Sequence, residues 1–201
     1  IQEILNHAIS ETEINEKIYY VSQIIEKYKD EEMAYYYRGN LYIKFEKYDE
    51  AINDFNKTIE VNDKCKEAYR GKGVCLARQG HYYEALQNYK KAISIDPKYE
   101  VVHYNMGVCY SRLKKYTKAI EDFTKAINLE QHDERLYYNR GISYSLIEKH
   151  EEALKDYKKT IDINPEFEEV YYYAGFSYYL LEEYSEAIEY FTIAIEINID
   201  Y

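Results

Sequence analysis

The sequence contains little proline and glycine and no long hydrophobic run. Only 2 prolines and 7 glycines occur among 201 residues, which leaves little room for an all-β fold rich in turns. No apolar segment approaches the roughly 20 residues that a membrane-spanning helix needs. Hydrophobic residues still make up 46% of the chain and charged residues 31%, so the composition excludes both a disordered chain and a membrane-embedded one.

Basic residues and cysteines are also scarce. The chain carries 26 Lys and Arg against 37 Asp and Glu, for a net charge of −11, whereas a general nucleic-acid-binding protein needs a basic surface. The 3 cysteines are odd in number and widely spaced, which predicts neither a disulfide framework nor a zinc module. We therefore expect a cytoplasmic location, in a reducing compartment. The chain opens at Ile1 without a signal-peptide pattern, and we interpret it as a fragment of a longer protein.

Signatures of catalysis are missing as well. None of the 5 histidines forms an HExxH motif or a His/Cys pair at ligand spacing. The sequence has no Gly-rich phosphate-binding loop and no nucleophile elbow. We therefore predict a protein without catalytic residues, metal ligands or cofactors, which is not an enzyme.

What the sequence does contain is an internal repeat of 34 residues. Five glycines mark it: Gly39, Gly73, Gly107, Gly141 and Gly175. Twelve residues after each glycine stands an alanine: Ala51, Ala85, Ala119, Ala153 and Ala187. Four residues further stands an aromatic residue: Phe55, Tyr89, Phe123, Tyr157 and Phe191. Five nearly gapless copies of one pattern cannot arise by chance.

Each copy predicts two antiparallel helices, A and then B. Apolar residues recur at spacings of three and four, as in Ala51, Phe55 and Ile59, which is the pattern of one helix face. A glycine inside a helix costs about 1 kcal/mol relative to alanine. Its recurrence therefore predicts the close approach of a neighbouring helix, with the alanine twelve residues later as the contact partner. One pair cannot bury its apolar faces alone, and stacking of neighbouring pairs completes the core.

The pattern resembles the tetratricopeptide repeat. The resemblance divides the chain into five copies: 32–65, 66–99, 100–133, 134–167 and 168–201. It implies an all-α fold, a right-handed α-solenoid superhelix of antiparallel helix pairs whose concave face is lined by the A helices. Residues 1–31 lack the glycine and alanine signals but predict two amphipathic helices, Ile1–Ile9 and Ile14–Lys29. We interpret them as a degenerate repeat or an N-terminal helical cap of one continuous array.

Two charged pairs recur at fixed places in the copies. Arg38 with Asp54, and Arg140 with Asp156, occupy the same two repeat positions. We predict an ion pair between helices A and B in each case, with a structural role.

A histidine and two cysteines are also interpreted as structural. His103 stands where the other copies have tyrosine, which favours core packing. Cys75 and Cys109 share one repeat position, and packing of small residues between helices explains this better than redox chemistry.

The resemblance implies a ligand-binding surface on the A helices, because members of the family contact ligands mainly through a few fixed positions of helix A. The candidates at these positions are Tyr36, Asn40, Arg70, Val74, Arg78, Tyr104, Asn105, Val108, Arg112, Arg135, Tyr138, Asn139, Ile142, Tyr172 and Phe176. Tyrosine offers contact area and one hydroxyl at little cost in entropy, which suits peptide capture. The alternative is that tyrosine is simply the usual aromatic of this chain, with 28 Tyr against 6 Phe.

Two asparagines and four arginines give this surface its predicted specificity. Asn105 and Asn139 form a two-rung ladder whose amides can bond a peptide backbone, as asparagines at this position do in related arrays; a merely polar surface role is the alternative. Residues 66–99 hold seven Lys or Arg against three Asp or Glu, whereas residues 168–201 hold eight Asp or Glu and no Lys or Arg. We expect four arginines to converge on the groove and to orient an acidic ligand: Arg70, Arg78, Arg112 and Arg135.

A co-chaperone-like role is an alternative. Some members of the family bind acidic C-terminal tails of chaperones through a carboxylate clamp of lysine, asparagine and arginine side chains on three successive copies. The corresponding residues here are Arg70, Val74, Asn105, Arg135 and Asn139. Val74 and Asn139 depart from the clamp pattern, so the resemblance implies half a clamp.

The sequence thus predicts a protein–protein interaction module that binds an extended, partly acidic peptide in a concave groove, with no nucleic-acid or membrane partner. One alternative is an assembly scaffold. The last copy has Ile193 where earlier copies have lysine, and no polar capping helix is present. This pattern indicates a truncated array, a further repeat, or a homo-oligomer formed through the C-terminal repeat. Another alternative is the targeting part of a larger enzyme.

Overall fold

The computed structural model describes residues 14–197, and the regular structure in this range is entirely α-helical. The helices are α1 (Ile14–Lys27), α2 (Glu32–Lys44), α3 (Tyr48–Val61), α4 (Lys66–Arg78), α5 (Tyr82–Ile95), α6 (Glu100–Arg112), α7 (Tyr116–Leu129), α8 (Glu134–Ser145), α9 (His150–Ile163), α10 (Glu168–Leu180) and α11 (Tyr184–Ile197). The predicted helix over Ile14–Lys29 corresponds to α1, and the predicted helix over Ile1–Ile9 lies outside the described residues.

Consecutive helices form antiparallel pairs within two compact units, residues 1–102 and 103–201. In the first unit α2 packs against α3 and α4 against α5, and in the second α8 packs against α9 and α10 against α11. A B helix also packs on the A helix that follows it, as α3 does on α4 and α9 on α10. The all-α fold class of antiparallel helix pairs that the sequence predicts is therefore confirmed.

The connector between the two helices of each copy contains one residue in the left-handed backbone region. The φ angles are 58° at Glu46, 83° at Gly80, 56° at Lys114, 61° at Glu148 and 63° at Glu182. These residues recur at the repeat spacing, so the same turn is used in every copy. Glycine alone adopts this conformation without a steric penalty, and only the second copy uses it.

The repeated glycines lie under the aromatic rings of the B helices. A Cβ atom at Gly107 would stand 2.6 Å from the ring of Phe123, and one at Gly141 would stand 2.6 Å from the ring of Tyr157. The predicted close approach is confirmed, but the nearest atoms belong to an aromatic ring in every copy and not to the alanine predicted as the partner. At Gly141 the backbone oxygen of that alanine, Ala153, also lies 3.3 Å from the added Cβ atom. The ring extends further across the helix interface than a methyl group does, and the alanine is buried beside it.

Two arginine–aspartate pairs join helices A and B, as predicted. Arg140 in α8 donates from Nε and Nη2 to the two carboxylate oxygens of Asp156 in α9, at 2.8 and 2.7 Å. Arg38 in α2 makes the same two bonds to Asp54 in α3 at the same distances. The Arg140 guanidinium also donates from Nη1 to the Thr124 hydroxyl of α7 at 3.0 Å. One arginine side chain therefore connects three helices.

The structural interpretation of the histidine and of the two cysteines is confirmed. His103 is buried, with Nδ1 3.2 Å from Oδ1 of Asp122 in α7. Cys75 and Cys109 are buried, and burial raises the pKa of both thiols to about 12. Both thiols are therefore protonated and unreactive at neutral pH.

Ser177 occupies the repeat position of Cys75 and Cys109, yet its buried hydroxyl has no hydrogen-bond partner among the described residues. Because an unpaired buried hydroxyl is destabilising, we expect Ser177→Cys to raise the free energy of unfolding by about 1 kcal/mol, measured by urea denaturation. Ser143→Cys is the matched control. The Ser143 hydroxyl donates to the Asn139 carbonyl at 2.9 Å, so its replacement should bring no gain. An equal gain at both positions would contradict the prediction.

Candidate peptide-binding surface

All fifteen side chains that the sequence predicts for ligand contact reach the surface. Five are exposed: Arg78, Arg112, Arg135, Tyr172 and Phe176. Ten are half-buried: Tyr36, Asn40, Arg70, Val74, Tyr104, Asn105, Val108, Tyr138, Asn139 and Ile142. Their neighbours Leu41 and Cys75 point into the core instead. Within each unit, we call the face that carries the fifteen residues the A-helix surface.

In the first unit, the A-helix surface is built around Arg70 of α4. Burial lowers the pKa of Arg70, but the phenols of Tyr99 and Tyr36 beside it more than offset this effect and hold the pKa above its usual value. The buried Nε–H of Arg70 has no hydrogen-bond partner among the described residues. Asn40 turns its amide inward and donates to the Tyr36 carbonyl at 2.8 Å. Arg78, at the end of α4, remains exposed.

In the second unit, Arg135 of α8 is already paired with a carboxylate. It donates from Nε and Nη2 to the two carboxylate oxygens of Asp133, at 2.9 and 2.6 Å, and these bonds lower the pKa of Asp133. The guanidinium carbon of Arg135 stands 5.6 Å from the ring centre of Tyr104 in α6. Arg112 is exposed at the end of α6 and forms no ion pair with a residue that the structure describes.

The four arginines that were expected to converge are divided between the units. Arg70 and Arg78 belong to the first unit, and Arg112 and Arg135 belong to the second. Neighbouring side chains engage Arg70 in the first unit and Arg135 in the second, and Arg78, Arg112 and Arg135 are exposed.

The two ladder asparagines lie in the second unit. Asn139 donates from Nδ2 to the backbone carbonyl of Arg135 at 2.7 Å, which leaves its amide oxygen available as an acceptor. Burial raises the pKa of the Tyr104 phenol, and the neighbouring Arg135 and Asn139 offset part of this rise. Asn105 is half-buried on α6.

Aromatic rings connect α8 to α10 and α10 to α11. The ring centre of Tyr138 lies 4.7 Å from that of Phe167 and 5.7 Å from that of Tyr173. The ring centre of Tyr172 lies 5.5 Å from that of Tyr173 and 5.8 Å from that of Phe191. Burial raises the pKa of Tyr138, and Tyr173 adds to the rise. The repeat register places Tyr173 on the ligand-contacting face of helix A, but neither Tyr173 nor Phe167 is among the predicted ligand residues, because a repeat pattern does not show which rings meet.

An open cavity of about 650 Å³ lies between α10 and α11. It is lined by two carboxylates, three aromatic rings and two aliphatic side chains: Glu168, Glu169, Tyr172, Tyr173, Phe191, Ala194 and Ile195. The sequence did not predict this cavity, although the excess of acidic residues in 168–201 indicated a negatively charged last copy. That signal shows the charge, but it does not show that two of the carboxylates meet aromatic rings of two helices.

The described part of the chain, residues 14–197, contains no group of three or more His, Cys, Asp or Glu side chains placed to hold a metal ion. Over the same residues, no helix combines the length and apolar character needed to cross a bilayer. What this part of the chain presents on its A-helix surfaces is tyrosine, asparagine, arginine and aliphatic side chains.

Comparison with known families identifies the fold. Residues 11–137 match the model of the tetratricopeptide repeat protein 21 C-terminal ARM domain. Residues 134–167 and 168–201 each match a tetratricopeptide repeat model. The chain therefore belongs to the tetratricopeptide repeat family, whose fold supports a protein–protein interaction module as its class of function.

Solved structures of other tetratricopeptide proteins are similar. One crystal structure of MamA superimposes with a TM-score of 0.77 at 25% sequence identity, over 81% of this chain and 95% of that one. MamA 41-end from Desulfovibrio magneticus RS-1 superimposes with a TM-score of 0.80 at 21% sequence identity, over 84% of this chain and 96% of that one. YrrB, described as a TPR protein with an unusual peptide-binding site, superimposes with a TM-score of 0.78 at 23% sequence identity, over 90% of this chain and 93% of that one. No curated protein sequence matches the chain.

Proposed function

We propose that this chain is a protein–protein interaction module that binds an extended, partly acidic peptide segment on its A-helix surfaces and catalyses no reaction. The observation that carries the proposal is the contact between surface side chains of successive A helices. In the second unit Arg135 of α8 lies over Tyr104 of α6, and Tyr138 of α8 lies against Tyr173 of α10. A peptide that follows these contacts would cross three A helices.

The chemistry of the surface fits an extended segment with acidic residues. The amide oxygen of Asn139 can accept a hydrogen bond from a peptide N–H, and the Asn105 amide can both donate and accept. The phenols of Tyr104 and Tyr138 add apolar contact area with little loss of entropy. The exposed Arg112 supplies a positive charge that would attract a carboxylate and orient the segment.

A carboxylate clamp for a chaperone tail is less well supported than general binding of an extended acidic segment. Val74 offers no hydrogen bond where the clamp needs an amide. Arg135, which would contribute a charge, already makes two bonds to Asp133, so a terminal carboxylate would have to displace that side chain.

An assembly scaffold is a second candidate function, and exposed apolar residues of α11 favour it. Ile188 and Ile195 are 67% and 63% exposed, whereas Ile193, which first suggested self-association, is half-buried against the core of the last helix pair. Burial of two large aliphatic side chains between copies would stabilise an oligomer. Sedimentation that is independent of concentration would exclude this candidate.

The ladder asparagines provide the test of the proposed function. We expect Asn105→Ala/Asn139→Ala to weaken peptide binding at least tenfold, because two backbone hydrogen bonds would be lost at about 1 kcal/mol each. The measurement is fluorescence anisotropy with fluorescein-labelled twelve-residue peptides that carry Asp or Glu at every third position. A panel with neutral residues at those places tests the preference for acidic segments.

The matched control is Asn128→Ala, which removes an exposed asparagine from the B helix α7. Its peptide affinity should equal that of the unaltered chain. Unchanged binding by the double variant would remove the ladder from the proposal, and a panel in which acidic and neutral peptides bind equally would remove the acidic ligand.

A further inference from the structure

We propose that the cavity between α10 and α11 binds a basic side chain, lysine or arginine, of the partner segment. This inference rests on the proposed function and adds a second charge to the ligand: a segment with acidic residues would also carry one basic residue that enters the cavity. The cavity lies wholly within the second unit.

The lining of the cavity has the chemistry that a basic side chain needs. Glu168 and Glu169 supply carboxylates, and the rings of Tyr172, Tyr173 and Phe191 supply aromatic surface. A cation is attracted to an aromatic ring within about 6 Å of its centre, and a carboxylate adds a charge-assisted hydrogen bond. The three rings meet at 5.5 and 5.8 Å, so one ammonium or guanidinium group could contact more than one of them.

The size and the apolar part of the cavity fit a long side chain. Its volume of about 650 Å³ exceeds what a single lysine or arginine fills, which leaves room for the adjoining peptide backbone. Ala194 and Ile195 line the α11 side, where the methylene groups of a basic side chain would pack. Lysine and arginine bury such stems against apolar surface while their charged ends reach polar groups.

The residues at the equivalent places of the other copies distinguish Glu168 from Glu169. Glu168 begins α10, as glutamates Glu32, Glu100 and Glu134 begin α2, α6 and α8, and an acidic residue there stabilises the helix through its dipole. Glu169 differs, because the equivalent residue of the preceding copy is Arg135. The charge at this place of the A helix therefore reverses between α8 and α10.

The surroundings of Glu169 leave its charge uncompensated by basic residues of its own copy. In the second copy the equivalent Glu67 lies 3.9 Å from Lys66. Residues 168–201 contain no Lys or Arg at all. A cation from a partner would supply the positive charge that the fifth copy lacks, and an acidic side chain would be repelled.

The first test probes the cavity without a peptide. N-acetyl-lysine-N-methylamide and its norleucine analogue, which lacks the amine, are titrated into the full chain and followed by two-dimensional NMR. We expect the lysine probe to shift the amide signals of α10 and α11 at least fivefold more than norleucine does. Glu169→Gln should abolish this difference, and Glu186→Gln, which neutralises an exposed carboxylate at the other end of α11, should preserve it. Equal shifts with both probes would overturn the proposal.

The second test uses the acidic peptides of the proposed function, with one lysine or one norleucine placed in turn along the segment. We expect lysine at one place to tighten binding at least fivefold, and Glu169→Gln to remove this gain while leaving the norleucine peptide unaffected. If no peptide binds but the lysine probe still outperforms norleucine, the proposed function fails and the cavity assignment stands. If peptides bind but lysine and norleucine are equivalent at every place, the cavity assignment fails and the proposed function stands.

Discussion

Arg140→Ala is expected to lower the free energy of unfolding by about 3 kcal/mol, because it leaves the Asp156 carboxylate buried and unpaired. Asp156 is 5% exposed and accepts two hydrogen bonds from Arg140. The arginine side chain is 16% exposed, which places the expected loss at the lower end of what breaking a buried ion pair costs. The same substitution also removes the bond from Arg140 to Thr124 of α7. Urea denaturation followed by circular dichroism measures the loss.

The fifth copy shows which residue pair can replace the ion pair and restore the stability lost in Arg140→Ala. In the fifth copy Ala174 and Tyr190 replace the arginine and the aspartate. The Tyr190 ring centre lies 6.2 Å from that of Tyr171 and 5.2 Å from that of Tyr178. The fourth copy has tyrosines at both corresponding places: Tyr137 and Tyr144.

The double variant Arg140→Ala/Asp156→Tyr should therefore recover most of the stability lost in Arg140→Ala. An aromatic cluster would replace the ion pair, and a buried ion pair exchanged for well-packed apolar groups is often neutral or stabilising. A single variant that loses less than about 1 kcal/mol, or a double variant as unstable as the single one, would contradict the argument.

The copies use different side chains at the same structural place. Arg140 and Asp156 form an ion pair in the fourth copy. In the third copy Met106 replaces the arginine, and the equivalent aspartate, Asp122, instead contacts the buried His103, which stands at the place of Tyr137. In the second copy Lys72 instead donates to Asn56 of the preceding helix at 2.7 Å. The shared fold therefore does not depend on one kind of side-chain contact between these helices. A polar contact in one copy can be replaced by an apolar contact in another.

The helices and the paired charges could be predicted because the repeat shows each contact more than once. A single glycine in a helix has several explanations, whereas five at one spacing require a close neighbour. The same reasoning found the pair of Arg140 with Asp156, since Arg38 and Asp54 repeat it. The identity of the ring above each glycine was not predictable from spacing, because side chains of different lengths lie on the same helix face.

The side chains predicted for ligand contact reach the surface of the A helices, but their electrostatics depend on side-chain contacts that a repeat pattern does not show. Asp133 precedes α8, accepts a hydrogen bond from the backbone N–H of Arg135 at 3.0 Å and also binds its side chain. The cavity of the fifth copy was missed for a related reason, since the sequence shows that Glu169 replaces Arg135 of the preceding copy but does not show that its side chain lines a cavity with aromatic rings.

The second large effect is expected at Gly107, where alanine should destabilise the chain by about 2 kcal/mol. Alanine is the better helix former by about 1 kcal/mol, so propensity alone predicts the opposite sign. The added Cβ atom would stand 2.6 and 2.7 Å from two ring carbons of Phe123. Phe123 has no exposed surface, so its ring can leave the contact only by moving α7 against α6. Urea denaturation shows whether Gly107→Ala raises or lowers the free energy of unfolding.

Two further variants make the steric explanation testable. Gly39→Ala should cost less than Gly107→Ala, because its added Cβ would stand 2.9 Å from the nearest atom of Phe55 rather than 2.6 Å from Phe123. In the double variant Gly107→Ala/Phe123→Leu the smaller leucine side chain makes room for the methyl group. The combined loss should therefore be smaller than the sum of the two single losses, which is the coupling expected for residues in contact. Additive losses, or a gain in stability from Gly107→Ala, would show that the glycine is not required by the ring above it.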